Sequence, residues 1–203
     1  LTLRVFELEG QNDLRYSLFS WRTRLALAHK KLAAEFVPVR LHDKERIAFS
    51  GGATVPILCD GDLTIRDSWR IACYLDEKYP DRGSLFGGDI GRGLTLTFSH
   101  WVDRTIVPVV VSHLAIDAIA NVHNDDRDYY RQSMEKAFGD SLERLAQSRD
   151  LWVEGFRNGL SPLRRTLRQQ PFIAGKTPAY ADFVLFSVLH WAELMSSFKL
   201  LAS

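Results

Sequence analysis

Hydrophobic and polar positions change period several times along this chain. Leu3-Arg4-Val5-Phe6-Glu7-Leu8 alternates with period two, which predicts a strand ended by Gly10-Gln11-Asn12-Asp13. Trp21, Leu25, Ala28 and Leu32 then recur at helical spacing, with Arg22, Arg24, Lys30 and Lys31 largely on the other side, which predicts an amphipathic helix. Strand character returns at Phe36-Val37-Pro38-Val39-Arg40-Leu41, completing a right-handed βαβ unit. Two further apolar runs, one from Val55 to Cys59 and one from Leu63 to Ile65, flank Asp60-Gly61-Asp62, and an Asp-Gly pair between such runs signals a hairpin. Proline cannot donate to a ladder, so Val55-Pro56 heads its strand either as an edge or as a cis bond. Asp67-Ser68 stands where a helix should start, ahead of Ile71, Tyr74 and Leu75. The order is strand, helix, strand, strand, strand, helix, with a mixed sheet.

Tyr79-Pro80-Asp81-Arg82-Gly83-Ser84 stops that helix, and Gly87-Gly88-Asp89-Ile90-Gly91-Arg92-Gly93 reads as a flexible connection. The expected organisation is a first domain over 1–80, a linker over 81–93 and an all-helical domain over 94–203. Helices are predicted over 94–122 with a bend at Pro108, over 126–149 behind Asp125-Asp126, and from Ser161-Pro162 to about Gln170, where Pro171 stops the last of them. A final apolar helix begins at Ala179-Tyr180-Ala181-Asp182 and runs to Leu194. Either Asp182 favours that start or Thr177 caps it one turn early.

Composition narrows the function classes. At 203 residues the chain can bury one large core or two small ones. Lys and Arg number 26 against 25 Asp and Glu, so no field of one sign recruits nucleic acid or an acidic membrane surface. No apolar run is long enough to span a bilayer, and Leu1 opens a strand-like run without a signal-peptide layout, so the cytoplasm is the expected compartment. The run Phe198, Leu200, Leu201 is still apolar close to Ser203, which suggests that more chain follows. Cys59 and Cys73 form no CxxC motif and read as free buried thiols, and the six histidines show no ligand spacing, so no metal is expected.

The candidate chemistry gathers near Asp67-Ser68. Such a pair is first of all a helix cap, yet a helix start also offers unpaired amides and the positive end of a dipole to an anion. Beside the outward edge at Val55-Pro56, it suits a peptide with a free carboxylate, whose backbone would pair with the edge and whose charge would meet the helix end.

The stretch from Val55 to Leu75 resembles the glutathione-binding half of the glutathione transferase superfamily, and the resemblance covers almost the whole chain. Residues 67–82, Asp-Ser-Trp-Arg-Ile-Ala-Cys-Tyr-Leu-Asp-Glu-Lys-Tyr-Pro-Asp-Arg, look most like bacterial glutathione-dependent β-etherases, which cleave aryl ethers in lignin fragments. The resemblance implies an α/β thioredoxin-like N-terminal domain plus an all-α C-terminal helical domain, glutathione as co-substrate, and a homodimer. The helices starting at Ser68 and running through Trp101 would meet their mates across the two-fold axis. It also implies that Val55 pairs with the cysteinyl unit beside a cis Pro56, and that Asp67 and Ser68 meet the γ-glutamyl amine and carboxylate. Lys44, with His42 or Arg40 beside it, is the candidate for the glycyl carboxylate.

A free thiol has a pKa near 8.5, so a bound glutathione needs a donor to hold its sulfur as thiolate at neutral pH. Tyr16, Ser17 and Ser20 are the candidates. Tyr16-Ser17-Leu18-Phe19-Ser20-Trp21-Arg22-Thr23-Arg24 looks like the segment of serine-type transferases whose catalytic Ser lies four residues before a Trp, which points to Ser17. On the residues alone Ser17 is a plain cap. Leu18-Phe19 departs from the Pro-Tyr of the etherases. An apolar acceptor pocket between the domains is expected from Tyr16, Phe19, Trp101, Ile106 and Val109. The implied activity is attack of a Ser-stabilised thiolate on an apolar, aromatic electrophile, with displacement of an aryloxide as the etherase version. The second reading is a non-catalytic glutathione or hydrophobic-ligand binding protein of the same fold.

Overall fold

The structure is a computed structural model that describes residues 2–201. The readings made at Leu1 and at Ser203 lie outside those residues.

The period-two run forms β1 (Leu3–Leu8), at the interior of a four-stranded sheet in the order β2-β1-β3-β4. β1 pairs parallel with β2 (Ala34–Val39), as a helical crossover requires, and antiparallel with β3 (Ile57–Asp60). A two-residue turn, with Gly61 at φ 60°, brings β3 back as β4 (Leu63–Arg66). Alternation sends Val5 and Leu58 to one face of the sheet and Phe6, Ile57 and Cys59 to the other, where Val39 and Ile47 close a small second core.

The crossover helix α1 (Leu18–His29) buries a face that the sequence pattern placed in water. Arg22 is 2% exposed and Lys30, its C-cap, is 0% exposed, whereas Ala28 is exposed. α1 packs on α2 (Ser68–Lys78) and also on α9 (Tyr180–Met195), so it has two buried sides. Each buried charge is paired. Arg22 donates to both Asp103 carboxylate oxygens (2.6 and 3.2 Å) and to Ser187 Oγ (3.1 Å). Lys30 Nζ lies 2.8 Å from Asp76 and donates to the Tyr79 carbonyl.

The connection is shorter than the 81–93 linker, because α3 (Asp89–Trp101) takes in Gly91 and Gly93. A β-carbon on Gly91 would collide with the Phe86 carbonyl, so this glycine allows a close approach rather than flexibility. The bend falls at the π-helical turn Val102–Ile106, followed by α4 (Val107–Ala118) with Pro108 in its first turn. Proline has no N–H and crowds the carbonyl four residues back, which widens the preceding turn.

The single helix expected over 126–149 is two. α5 (Arg127–Phe138) stops at Gly139, φ 74°, and α6 (Leu142–Gln147) restarts behind the Ser141 cap. α7 (Arg149–Gly159), where the pattern gave no element, precedes α8 (Ser161–Gln169). α9 runs through the middle of the helical half, with Val184, Val188 and Ala192 buried. Among the described residues no helix is long and apolar enough to cross a membrane. No group of three or more His, Cys, Asp or Glu residues among them is placed to hold a metal ion.

Candidate functional site

A cleft of about 370 Å³ opens where the hairpin, the start of α2 and the first turn of α1 meet. Thr54-Val55-Pro56, Asp67-Ser68 and Phe19 line it, together with Arg66 and Arg70. The Val55-Pro56 peptide is cis. Val55 precedes the β3–β4 ladder, whose first pair is Ile57 with Arg66, so its amide and carbonyl lie outside that ladder. Asp67 caps α2 by accepting from Arg70 N (3.0 Å) and holds φ 78°, ψ 126°, a conformation costly for a residue with a β-carbon. Ser68, only 4% exposed, is left free of the capping role.

Ser17 is the N-cap of α1, its Oγ accepting from Ser20 N (3.2 Å). That bond uses a lone pair and leaves the hydroxyl proton available. Ser17 does not itself line the cleft; Phe19, two residues on, does. Trp21 sets the approach to the cap, because its indole N–H donates to the Arg15 carbonyl (2.7 Å). Trp21 is flanked by Arg24, which pairs with the buried Glu7 of β1.

The other candidates fall elsewhere. Tyr16, expected on the acceptor wall, is 3% exposed within the core. Burial pushes its phenol well above the usual range, and Asp126 and Tyr130 add to the effect. Ser20 is 2% exposed with an unpaired Oγ. Arg40 and His42 are engaged by the helical half, Arg40 with Asp125 (3.0 Å) and His42 Nδ1 with the buried Asp126 (2.5 Å). Lys44 donates to the carbonyl of Ala53 (3.1 Å), next to Thr54, and its ammonium lies 5.6 Å from the Tyr129 ring centre. It does not line the cleft.

Trp101, Ile106 and Val109 do come together, in an apolar cavity of about 330 Å³ completed by Thr105, Trp152, Phe156 and Leu160. Phe19 is not among its walls, so the expected acceptor set divides between two places. Sequence reasoning missed Arg66 and Arg70 in the cleft and Trp152 and Phe156 in the cavity. The last two carried a signal, since aromatics four residues apart share one helix face.

Two family models cover this arrangement. One, described as the C-terminal domain of glutathione S-transferase, matches residues 93–199, and the other, its N-terminal domain, matches residues 13–83. The chain belongs to the glutathione S-transferase family. Glutathione S-transferase 1 of Dianthus caryophyllus is 37% identical over 182 residues, 86% of this chain and 82% of that protein. Glutathione S-transferase Z1 of Arabidopsis thaliana is 46% identical over 65 residues, 30% of this chain and 29% of that protein. The chain spans 29% to 57% of the length of four of the curated relatives it matches. A glutathione S-transferase of Ceriporiopsis subvermispora, solved in complex with glutathione, matches in fold with a TM-score of 0.86 at 21% identity, covering 96% of this chain and 86% of that one. The thioredoxin-like α/β half with its four-stranded sheet and the helical half are thus the glutathione S-transferase architecture.

Proposed function

We propose that this protein is a glutathione transferase in which Ser17 stabilises the thiolate of glutathione for attack on an apolar aromatic electrophile. The observation that carries the reading is the cleft, where a backbone edge left outside the ladder at Val55 adjoins a helix start at Asp67-Ser68. A tripeptide with a terminal carboxylate fits those two features together. Val55 pairs with the cysteinyl backbone beside Pro56, Asp67 takes the γ-glutamyl amine, Ser68 its carboxylate, and Lys44 the glycyl carboxylate. Ser17 donates its hydroxyl proton to the sulfur, which favours the charged form. The cavity at Trp101, Ile106 and Val109 takes the acceptor, and a β-aryl ether that releases an aryloxide is one member of that class. The cytoplasm, where glutathione keeps thiols reduced, suits this chemistry.

Ser17→Ala is expected to lower turnover about tenfold or more, about 1.4 kcal/mol in barrier, with little change in glutathione affinity. Spectrophotometric conjugation and aryl-ether assays beside calorimetry check this, and unchanged turnover overturns the role of Ser17. A second reading, a glutathione-binding protein without turnover, is favoured by the ordinary capping geometry of Ser17. Binding without turnover across a broad electrophile panel decides for it.

We further propose a homodimer. Ile90 and Leu94 on α3 are 83% and 68% exposed, and a mixed polar and apolar groove that includes Trp69, Cys73 and Glu77 reaches α3 at Arg92. A second copy would cover this apolar surface. A stable monomer by light scattering at micromolar concentration overturns it.

A further inference from the structure

We propose that Asp126, from the helical half, is a positioning residue for the glycyl end of glutathione: it fixes segment 40–44, the loop after β2, so that the Lys44 ammonium meets the glycyl carboxylate. The proposal rests on the reading of Lys44 as the glycyl ligand.

Segment 40–44 joins β2 to the 3-10 turn Glu45–Ser50 and lies outside the sheet. Its polar groups turn instead to the helical half. Asp126 is 0% exposed, and its carboxylate accepts from the amides of Leu41 (3.2 Å) and His42 (3.0 Å) and from His42 Nδ1 (2.5 Å). Every donor this carboxylate has among the described residues therefore comes from the loop of the other half. A carboxylate is costly to bury without such donors, so the buried charge and the loop hold each other in place. Arg40 adds a second tie, donating to Asp125 (3.0 Å) and to His123 Nδ1 (3.2 Å).

The hold passes along the chain to Lys44. The Lys44 amide donates to the carbonyl of His42 (2.8 Å), the residue that Asp126 grips twice. The Lys44 ammonium reaches the carbonyl of Ala53 (3.1 Å), and the ring of Tyr129, three residues beyond Asp126, lies 5.6 Å from it. With the cysteinyl unit at Val55 and the γ-glutamyl end at the start of α2, the glycyl end is left for the Thr54 end of the cleft, and Lys44 brings a cation beside it. A lysine side chain loses rotamer freedom when it takes up a carboxylate, and a loop fixed beforehand leaves less to order on binding.

The test is Asp126→Asn, which keeps the shape but puts an NH2 group against one set of donors. Calorimetry compares glutathione with γ-glutamyl-cysteine N-methylamide, which lacks the glycyl carboxylate. The glutathione dissociation constant is expected to rise about fivefold and that of the analogue to stay unchanged. Asp126→Asn in a Lys44→Met background is expected to add nothing. If Asp126→Asn does not fold, His42→Ala carries the test, since its half-exposed ring can be removed with both backbone bonds to Asp126 kept. A rise of about twofold or more confined to glutathione supports the proposal there. Unchanged glutathione binding in the variant tested, where Lys44→Met does weaken it, overturns the role of Asp126 alone. Both ligands weakened alike mark a structural role and also overturn it. A parent protein that binds the two ligands equally, or binds neither, overturns the reading of Lys44 and the role of Asp126 with it.

Discussion

Trp21 gives the four-residue offset to Ser17 a physical cause. Its indole N–H holds the Arg15 carbonyl, so the chain between them must turn within a short span and deliver Ser17 to the cap of α1. Trp21→Phe keeps a ring but removes the donor. It is expected to cost about 1 kcal/mol of stability, a melting shift of roughly 2–4 °C, and to lower turnover more than glutathione affinity. Thermal melts and steady-state kinetics check both parts. At this scale the sequence was legible where a residue's role is local: a cap, a turn glycine, a proline ahead of a strand. It was not legible for Tyr16, because nothing in its neighbours along the chain shows that its side chain is buried in the core.

The start of α9 shows how an element compensates for a missing cap. Ala179 has no side-chain acceptor, and Asp182 takes over by accepting from the amides of Ile173 (2.7 Å), Ala174 (3.3 Å) and Ala179 (3.1 Å). It thereby fixes the preceding loop as well as the helix. Asp182→Ala leaves the part-buried amides of Ile173 and Ala179 without their acceptor, while that of exposed Ala174 turns to water, and is expected to cost roughly 2 kcal/mol, about 4–8 °C in melting temperature, with Asp182→Asn intermediate. Calorimetric melts of the two variants check the order. Of the sequence's two options for this helix start, Asp182 is the one the structure uses; Thr177 has no part in the cap. The split of 126–149 at Gly139 was within reach of the sequence, since glycine readily adopts the left-handed turn that ends a helix. α7 was harder to find because Gly155 and Gly159 interrupt the helical pattern that Trp152 and Phe156 set.

The two halves of the molecule are joined through charges that each half alone would leave in water. Arg22 on α1 is buried against Asp103 of the π turn and Ser187 of α9. Asp103→Ala strands that guanidinium and is expected to destabilise the protein by about 3 kcal/mol, read as a lower urea midpoint. Arg22→Met combined with Asp103→Ala is expected to be less destabilised than Asp103→Ala alone, since no buried charge is left unpaired. The sequence by itself determined the strands, the hairpin, the start of α2 and the change from a mixed sheet to helices, because those follow from periodicity and turn chemistry within a few residues. It also carried the edge and helix start that make the cleft, since Val55-Pro56 and Asp67-Ser68 lie within one hairpin and the turn after it. Only the tertiary structure decided which face of α1 is buried, that Arg40 and His42 are held by Asp125 and Asp126, and that Trp101 meets Trp152 rather than Phe19. Each of those outcomes depends on what a distant segment brings to the contact. A charged residue reads as a solvent-facing one until its partner arrives from the other half of the chain.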